Sequence, residues 1–157
     1  MILESPEFQH QAPIPAVYTC QGKDLSPPLK WRDVPAKAKS LALIVDDPDA
    51  PDPAAPQRVY VHWVVYNIPI KTSGLESSAG NNASLLPAGA MPAKNDWGKE
   101  GYGGPCPPIG RHRYFFKLYA LDTVFPDLKS PTKKELEAAM QGHIIEQIEL
   151  IGTYQKS

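Results

Sequence analysis

Neither sign of charge prevails in this chain: 16 lysines and arginines stand against 17 aspartates and glutamates, a formal net charge of −1 over 157 residues. A nucleic-acid binder needs a basic surface to displace the counterions of a phosphate backbone, so nucleic acid is excluded as a partner. Long apolar runs are also missing. Nothing approaches the ~18 consecutive apolar residues of a membrane span, and the opening Met1-Ile2-Leu3-Glu4-Ser5-Pro6-Glu7-Phe8 lacks the basic start and apolar stretch of a signal peptide. The cytoplasm is the expected location, with no membrane insertion. Cysteine is scarce. Cys20 and Cys106 form neither a Cys-x-x-Cys pair nor a multi-bridge framework. The plain reading is two free thiols; a structural disulfide or a reactive thiol are the alternatives. Phosphate-cradling G-x-x-x-x-G-K-[ST] and G-x-G-x-x-G motifs are absent, as is any His-x-x-x-His spacing for a metal. No cofactor or metal is expected.

Proline, by contrast, is abundant. Eighteen prolines are roughly twice the average usage and favour turns and strand edges over long helices. Hydrophobic residues at 42% and charged residues at 21% are ordinary for a globular protein, so residues 1–157 read as one domain large enough for a core. Short extended pieces are expected near Met1–Ser5 and Pro28–Trp31, the latter with Trp31 facing inward. Ser40–Val45 is a continuous apolar run, a buried central strand. The acid- and proline-rich stretch from Asp46 to Pro53 reads as a stiff acidic loop placing Asp47 and Asp49 at that strand's mouth, or as an ordinary solvated turn. Arg58–Asn67 is another strand, interrupted by His62; from the residues alone this is a satisfied core histidine or a ligand group. Residues 71–95 read as a long surface loop. Thr132 and Glu135 form a capping box ahead of a helix whose stripe is Leu136, Met140, Ile144 and Ile148, with Gly142 as a break. Glu149–Gln155 reads as a final strand.

The chain is organised around Gly103–Ala120. Pro105, Pro107 and Pro108 stiffen a loop that exposes its backbone, and the aromatic run Tyr114–Ala120 continues it as a buried strand. His112 stands at the junction. Such a junction builds a small-molecule pocket at a sheet edge. If the strand ends meet, Asp47, Asp49, His62, Gly104, Pro105, His112 and Tyr114 converge, offering two imidazoles, a phenol and a glycine amide to a phosphate or similar oxyanion. Carboxylates beside an anion repel it unless a proton is shared, so affinity should depend on pH. A Cys106–His112 nucleophile lacks an activating helix N-terminus. A glycosidase-type carboxylate pair would sit on a proline-locked turn without stacking aromatics nearby.

Asp47-Pro48-Asp49-Ala50-Pro51, His62-Trp63, and Gly104-Pro105-x-Pro107-Pro108-x-Gly110-x-His112-Arg113-Tyr114 closely resemble the phosphatidylethanolamine-binding protein family, which includes the Raf kinase inhibitor proteins. Tyr18-Thr19-Cys20-x-Gly22, Ser26-Pro27-Pro28-Leu29-x-Trp31 and Gly152-Thr153-Tyr154 look like its small bacterial and archaeal branch. The resemblance covers almost the whole chain. It implies a mainly β fold with a few short helices, a large antiparallel sheet packed against a smaller one. It also implies a non-enzymatic regulatory protein whose anion pocket, formed by Asp47, Asp49, Pro51, His62, Gly104, Pro105, His112 and Tyr114, takes phosphate, phosphoethanolamine-like head groups or phosphorylated side chains. Tyr60 stands where many eukaryotic members have tryptophan, and the chain ends soon after Tyr154. The Raf-inhibitory role does not transfer on fold alone. A second reading is an inhibitor of a kinase or protease, acting through residues 46–53 and 71–95. A third is a hydrolase. Small members of this kind are often dimeric, and Trp31, Tyr60 and apolar strand edges are the candidates for a homodimer face.

Overall fold

β-Branched and aromatic runs become strands throughout the computed structural model, which describes all residues from Met1 to Ser157. In chain order the elements are β1 (Ile2–Glu4), β2 (Ala12–Pro13), β3 (Leu29–Arg32), β4 (Ser40–Ala50), β5 (Arg58–Ile68), β6 (Gly74–Leu75), β7 (Met91–Pro92), β8 (His112–Leu121), α1 (Lys133–Met140) and β9 (Ile144–Tyr154). Six strands form the large sheet, in the order β2-β9-β8-β4-β5-β7, antiparallel except where β2 runs parallel to β9. The small antiparallel sheet has the order β1-β3-β6. The architecture is the expected one: mainly β, a larger sheet against a smaller one.

The central strand β4 explains the layering. Leu41, Leu43 and Val45 face the small sheet and join Leu3, Leu29, Trp31 and Leu75 in the main core. Ala42 and Ile44 face the other way, toward Tyr66, Leu121 and the helix residues Leu136 and Met140. Because both faces are covered, β4 is apolar without alternation from Leu41 to Val45. Burying each such leucine or isoleucine contributes about 1.5–3 kcal/mol.

Several expectations change. The acidic stretch is not a loop from residue 46, since β4 continues to Ala50. Strand periodicity turns Asp46 toward the helix, where Lys117 and Lys133 reach its Oδ2 at 3.1 and 2.9 Å, and turns Asp47 the opposite way. The predicted helical stripe is cut. Thr132 and Glu135 make the capping box, but Gly142 takes φ +84° and the chain reverses. Ile144 and Ile148 therefore lie in β9, paired to Leu121 and Leu118. Local helical spacing loses there to β-branched residues that complete a long ladder. The 71–95 segment is anchored rather than a free surface loop: it carries β6, β7 and a 3-10 turn at Ala83–Leu85, and it buries Leu75, Ala79 and Ala93. Trp31 belongs to the core and offers nothing to a dimer face. Cys20 and Cys106 are not free thiols; they form a disulfide with Cα atoms 5.4 Å apart, brought together by the packing of two proline-bounded loops. No helix is long and apolar enough to cross a membrane.

Candidate functional site

A cavity of about 410 Å³ opens where β4 ends and β5 and β8 begin. It lies at the ends of three central strands, not at a lateral sheet edge. Register explains the convergence: Asp46 is opposite Phe115 of β8, and Asp47 is opposite Tyr60 of β5. Asp47, Pro51, His62, His112 and Tyr114 line the cavity, so five of the eight sequence-derived residues meet there.

His112 is fully buried and fully engaged. Its Nδ1 lies 2.6 Å from Asp47 Oδ2, and its Nε2 lies 2.9 Å from the Ile109 carbonyl and 3.1 Å from the Pro51 carbonyl. Carbonyls only accept, so Nε2 carries a hydrogen, and a further proton lies between Nδ1 and the carboxylate. The pair is thus neutral as a unit, which removes the repulsion a bare carboxylate would exert on an anion. The other Asp47 oxygen accepts from the Asp49 amide at 2.7 Å.

His62 differs. Its Nδ1 donates to the Gly103 carbonyl at 2.6 Å, leaving Nε2 without a protein partner. Burial holds this imidazole below its ordinary pKa, against the opposing pull of the Gly103 carbonyl and Asp47. It is a neutral ring presenting a lone pair. The Tyr114 side chain is 1% exposed, and its hydroxyl is buried without a hydrogen-bond partner. Burial, then the nearby Asp47 carboxylate, raises its pKa far above the phenol range, so it remains a donor. Around the mouth stand Tyr60 and Trp97, with ring centroids 4.9 Å apart and edge to face. Arg58 lies over the Tyr60 ring at 4.8 Å and pairs with Asp96 at 3.1 Å.

The other three predicted residues do not line this cavity. Asp49 is held by Arg113 through its backbone N–H at 2.9 Å and its Nε and guanidinium nitrogen at 3.0 and 2.8 Å, contacts that lower its pKa. It pins the end of β4 to β8. The Gly104 amide donates to Asp24 Oδ1 at 3.0 Å. A Cβ there would come within 2.2 Å of that oxygen and 2.5 Å of the Tyr18 carbonyl, so this glycine serves loop-on-loop packing rather than approach by a ligand. The Pro105 carbonyl accepts from the Cys20 amide.

Sequence reasoning missed Gln57, Arg58 and Trp97 among the lining residues. A large aromatic in the polar turn Asn95-Asp96-Trp97-Gly98 was the only signal for Trp97. Its presence beside Tyr60 also means that stacking aromatics are near the acidic stretch after all, although only Asp47 of those acids reaches the cavity. No group of three or more His, Cys, Asp or Glu side chains is placed to hold a metal ion.

The family model described as phosphatidylethanolamine-binding protein matches residues 4–155. The chain belongs to that family. A UPF0098 protein of Methanothermobacter thermautotrophicus is 48% identical over 156 residues, spanning 99% of both chains. Another, from Chlamydia pneumoniae, is 49% identical over the full length of both. Among solved structures, a phosphatidylethanolamine-binding protein homologue from Chlamydia trachomatis superposes with a TM-score of 0.88 at 44% identity, covering 99% of this chain and 97% of that one. E. coli YbcL, described as a member of the mammalian family, also gives 0.88, at 32% identity over 99% and 98% of the chains. Membership carries a binding or regulatory role.

Proposed function

We propose that the cavity binds a phosphate-bearing ligand and that the protein acts by binding, without turnover. The observation that carries this reading is the contrast among its polar groups. Asp47 and His112 are satisfied within the protein, whereas the Tyr114 hydroxyl and His62 Nε2 have no partner there. A buried polar group without a partner, as the Tyr114 hydroxyl is, costs about 1–3 kcal/mol, a cost that a ligand oxygen can relieve. Tyr114 donates to one oxygen. The His62 lone pair needs a proton, supplied by a protonated phosphate or taken up by the ring. Arg58, paired with Asp96, stands at the mouth with its guanidinium over Tyr60. No nucleophile beside an available base lines the cavity, which supports binding over hydrolysis. The inhibitor reading loses part of its surface, because Asp46, Asp47 and Asp49 are buried.

The sign of the pH dependence follows from His62. Its pKa is lowered, so the ring is neutral near pH 7 and the complex holds one proton more than the free ring and the phosphate dianion together; affinity falls as pH rises through the range where that dianion replaces the protonated phosphate, by up to tenfold per unit. Calorimetric titration of inorganic phosphate at pH 6 and pH 8 into wild type and Tyr114→Phe tests both points. The variant removes only an unpartnered hydroxyl and should fold normally. It should bind at least tenfold more weakly; equal binding, or affinity independent of pH, would overturn the assignment.

A further inference from the structure

Cysteine is ordinarily among the most buried residue types, yet both members of the Cys20–Cys106 disulfide are exposed. Together they border a second hollow of about 330 Å³, lined also by Asp24, Trp97, Lys99 and Gly103. Cys106 and Trp97 line the 410 Å³ cavity as well, so they stand in the partition between the two spaces.

The two sides of the bridge are held unequally. On one side, Thr19 bonds back to the Ala16 carbonyl through its amide and hydroxyl at 3.0 and 2.8 Å. The Gln21 side chain there accepts from the Tyr154 hydroxyl and the Ser157 amide. On the other side, no residue from Cys106 to Arg111 takes part in a backbone–backbone hydrogen bond. Apart from the bridge, that segment is tied near its far end, by His112 on the Ile109 carbonyl and by Arg111 on Thr153. Exposed disulfides are open to attack by a thiolate, and they are the labile ones rather than the inert structural ones.

We propose that Cys20–Cys106 is a thiol-exchange site, at which a dithiol reductant loosens the partition beside the cavity. One thiolate of the dithiol attacks a sulfur of the bridge, and the other cysteine leaves as a thiolate that takes up a proton. The second thiol then attacks the reductant's own sulfur in the mixed disulfide and frees the first cysteine. Two electrons and two protons pass to the chain, and the dithiol becomes a disulfide. The Cys106–Arg111 side then moves outward and uncovers Trp97, while the Cys20 side stays in place.

The test incubates folded protein with dithiothreitol, with and without urea, and counts alkylated cysteines by mass. Both should be freed without urea at a rate within about tenfold of that in urea, as fits an exposed bridge. A larger gap would mean that reduction waits for unfolding, and would overturn the proposal. Iodide quenching reads the partition. Trp31 and Trp63 are buried, so the quenchable signal belongs to Trp97. Its quenching should rise on reduction by up to about twofold, the headroom of a ring already 45% exposed, and fall back on reoxidation. Unchanged quenching in the reduced protein would overturn the proposal, and so would collapse of the whole fold, the mark of a global staple. Reduced thioredoxin at equal thiol concentration separates a protein dithiol from a small one, the faster donor being assigned. Neither assay contains phosphate, so failure here leaves the phosphate reading standing.

Discussion

His112 touches three parts of the chain at once: Asp47 near the end of β4 and the carbonyls of Pro51 and Ile109 in the two loops that flank the cavity. Its position at the loop–strand junction was legible from the sequence. Two of its partners were not, because the Pro51 and Ile109 carbonyls are backbone atoms, which have no residue signature. These contacts make His112 a crosslink of the cavity walls, while His62 and Tyr114 keep atoms free for a ligand. His112→Ala should therefore cost about 3–5 kcal/mol by leaving a buried carboxylate unpaired. Adding Asp47→Ala should cost less than the sum of the single changes, since no lone charge then remains. Urea denaturation of the four proteins in that cycle measures the coupling, and strict additivity would refute it.

At the scale of elements, the Gly103–Arg111 segment has no regular structure, and its place depends on a few specific ties. The Gly103 amide donates to the His62 carbonyl, the Gly104 amide to Asp24, and the disulfide joins Cys106 to Cys20. Cys106 lines the cavity, so that covalent tie sits in its wall. Reading the cysteines as free thiols failed because their separation says nothing about approach in space; only the packed loops bring them together. Disulfides persist in oxidising compartments and in hyperthermophiles, and are rare and mostly transient in a reducing cytosol. Reduction, or replacement of both cysteines by serine, should lower stability by about 2–5 kcal/mol. It should also speed amide exchange in residues 103–111 more than in β4 and β8. Uniform exchange across these segments would show that the bridge does not hold the wall.

Across the whole molecule, the large sheet separates two tasks. One face packs against the small sheet and, at the strand ends, turns its polar residues into the cavity; the other is covered by α1. Asp46 and Asp47 mark the division, adjacent in sequence and on opposite faces. Leu136, wholly buried under the sheet, does not line the cavity. Leu136→Ala should cost about 2–5 kcal/mol in stability and leave the phosphate dissociation constant within roughly twofold, because distant sites act independently. A large loss of affinity in the folded variant would show that the two faces are coupled.

By itself the sequence determined the strands built from continuous β-branched and aromatic runs, the capping box at Thr132, and the set of polar residues clustered at strand ends. Those signals are local, written in spacing and side-chain shape. Tertiary structure decided the rest: that β4 carries its acids inside the sheet, that Ile144 and Ile148 pair as strand rather than extend a helix, that Gly104 packs on another loop, that the cysteines join, and that Trp97 reaches the cavity mouth. Each depends on contacts between distant segments, where burial and register outweigh the preferences of neighbours in the chain.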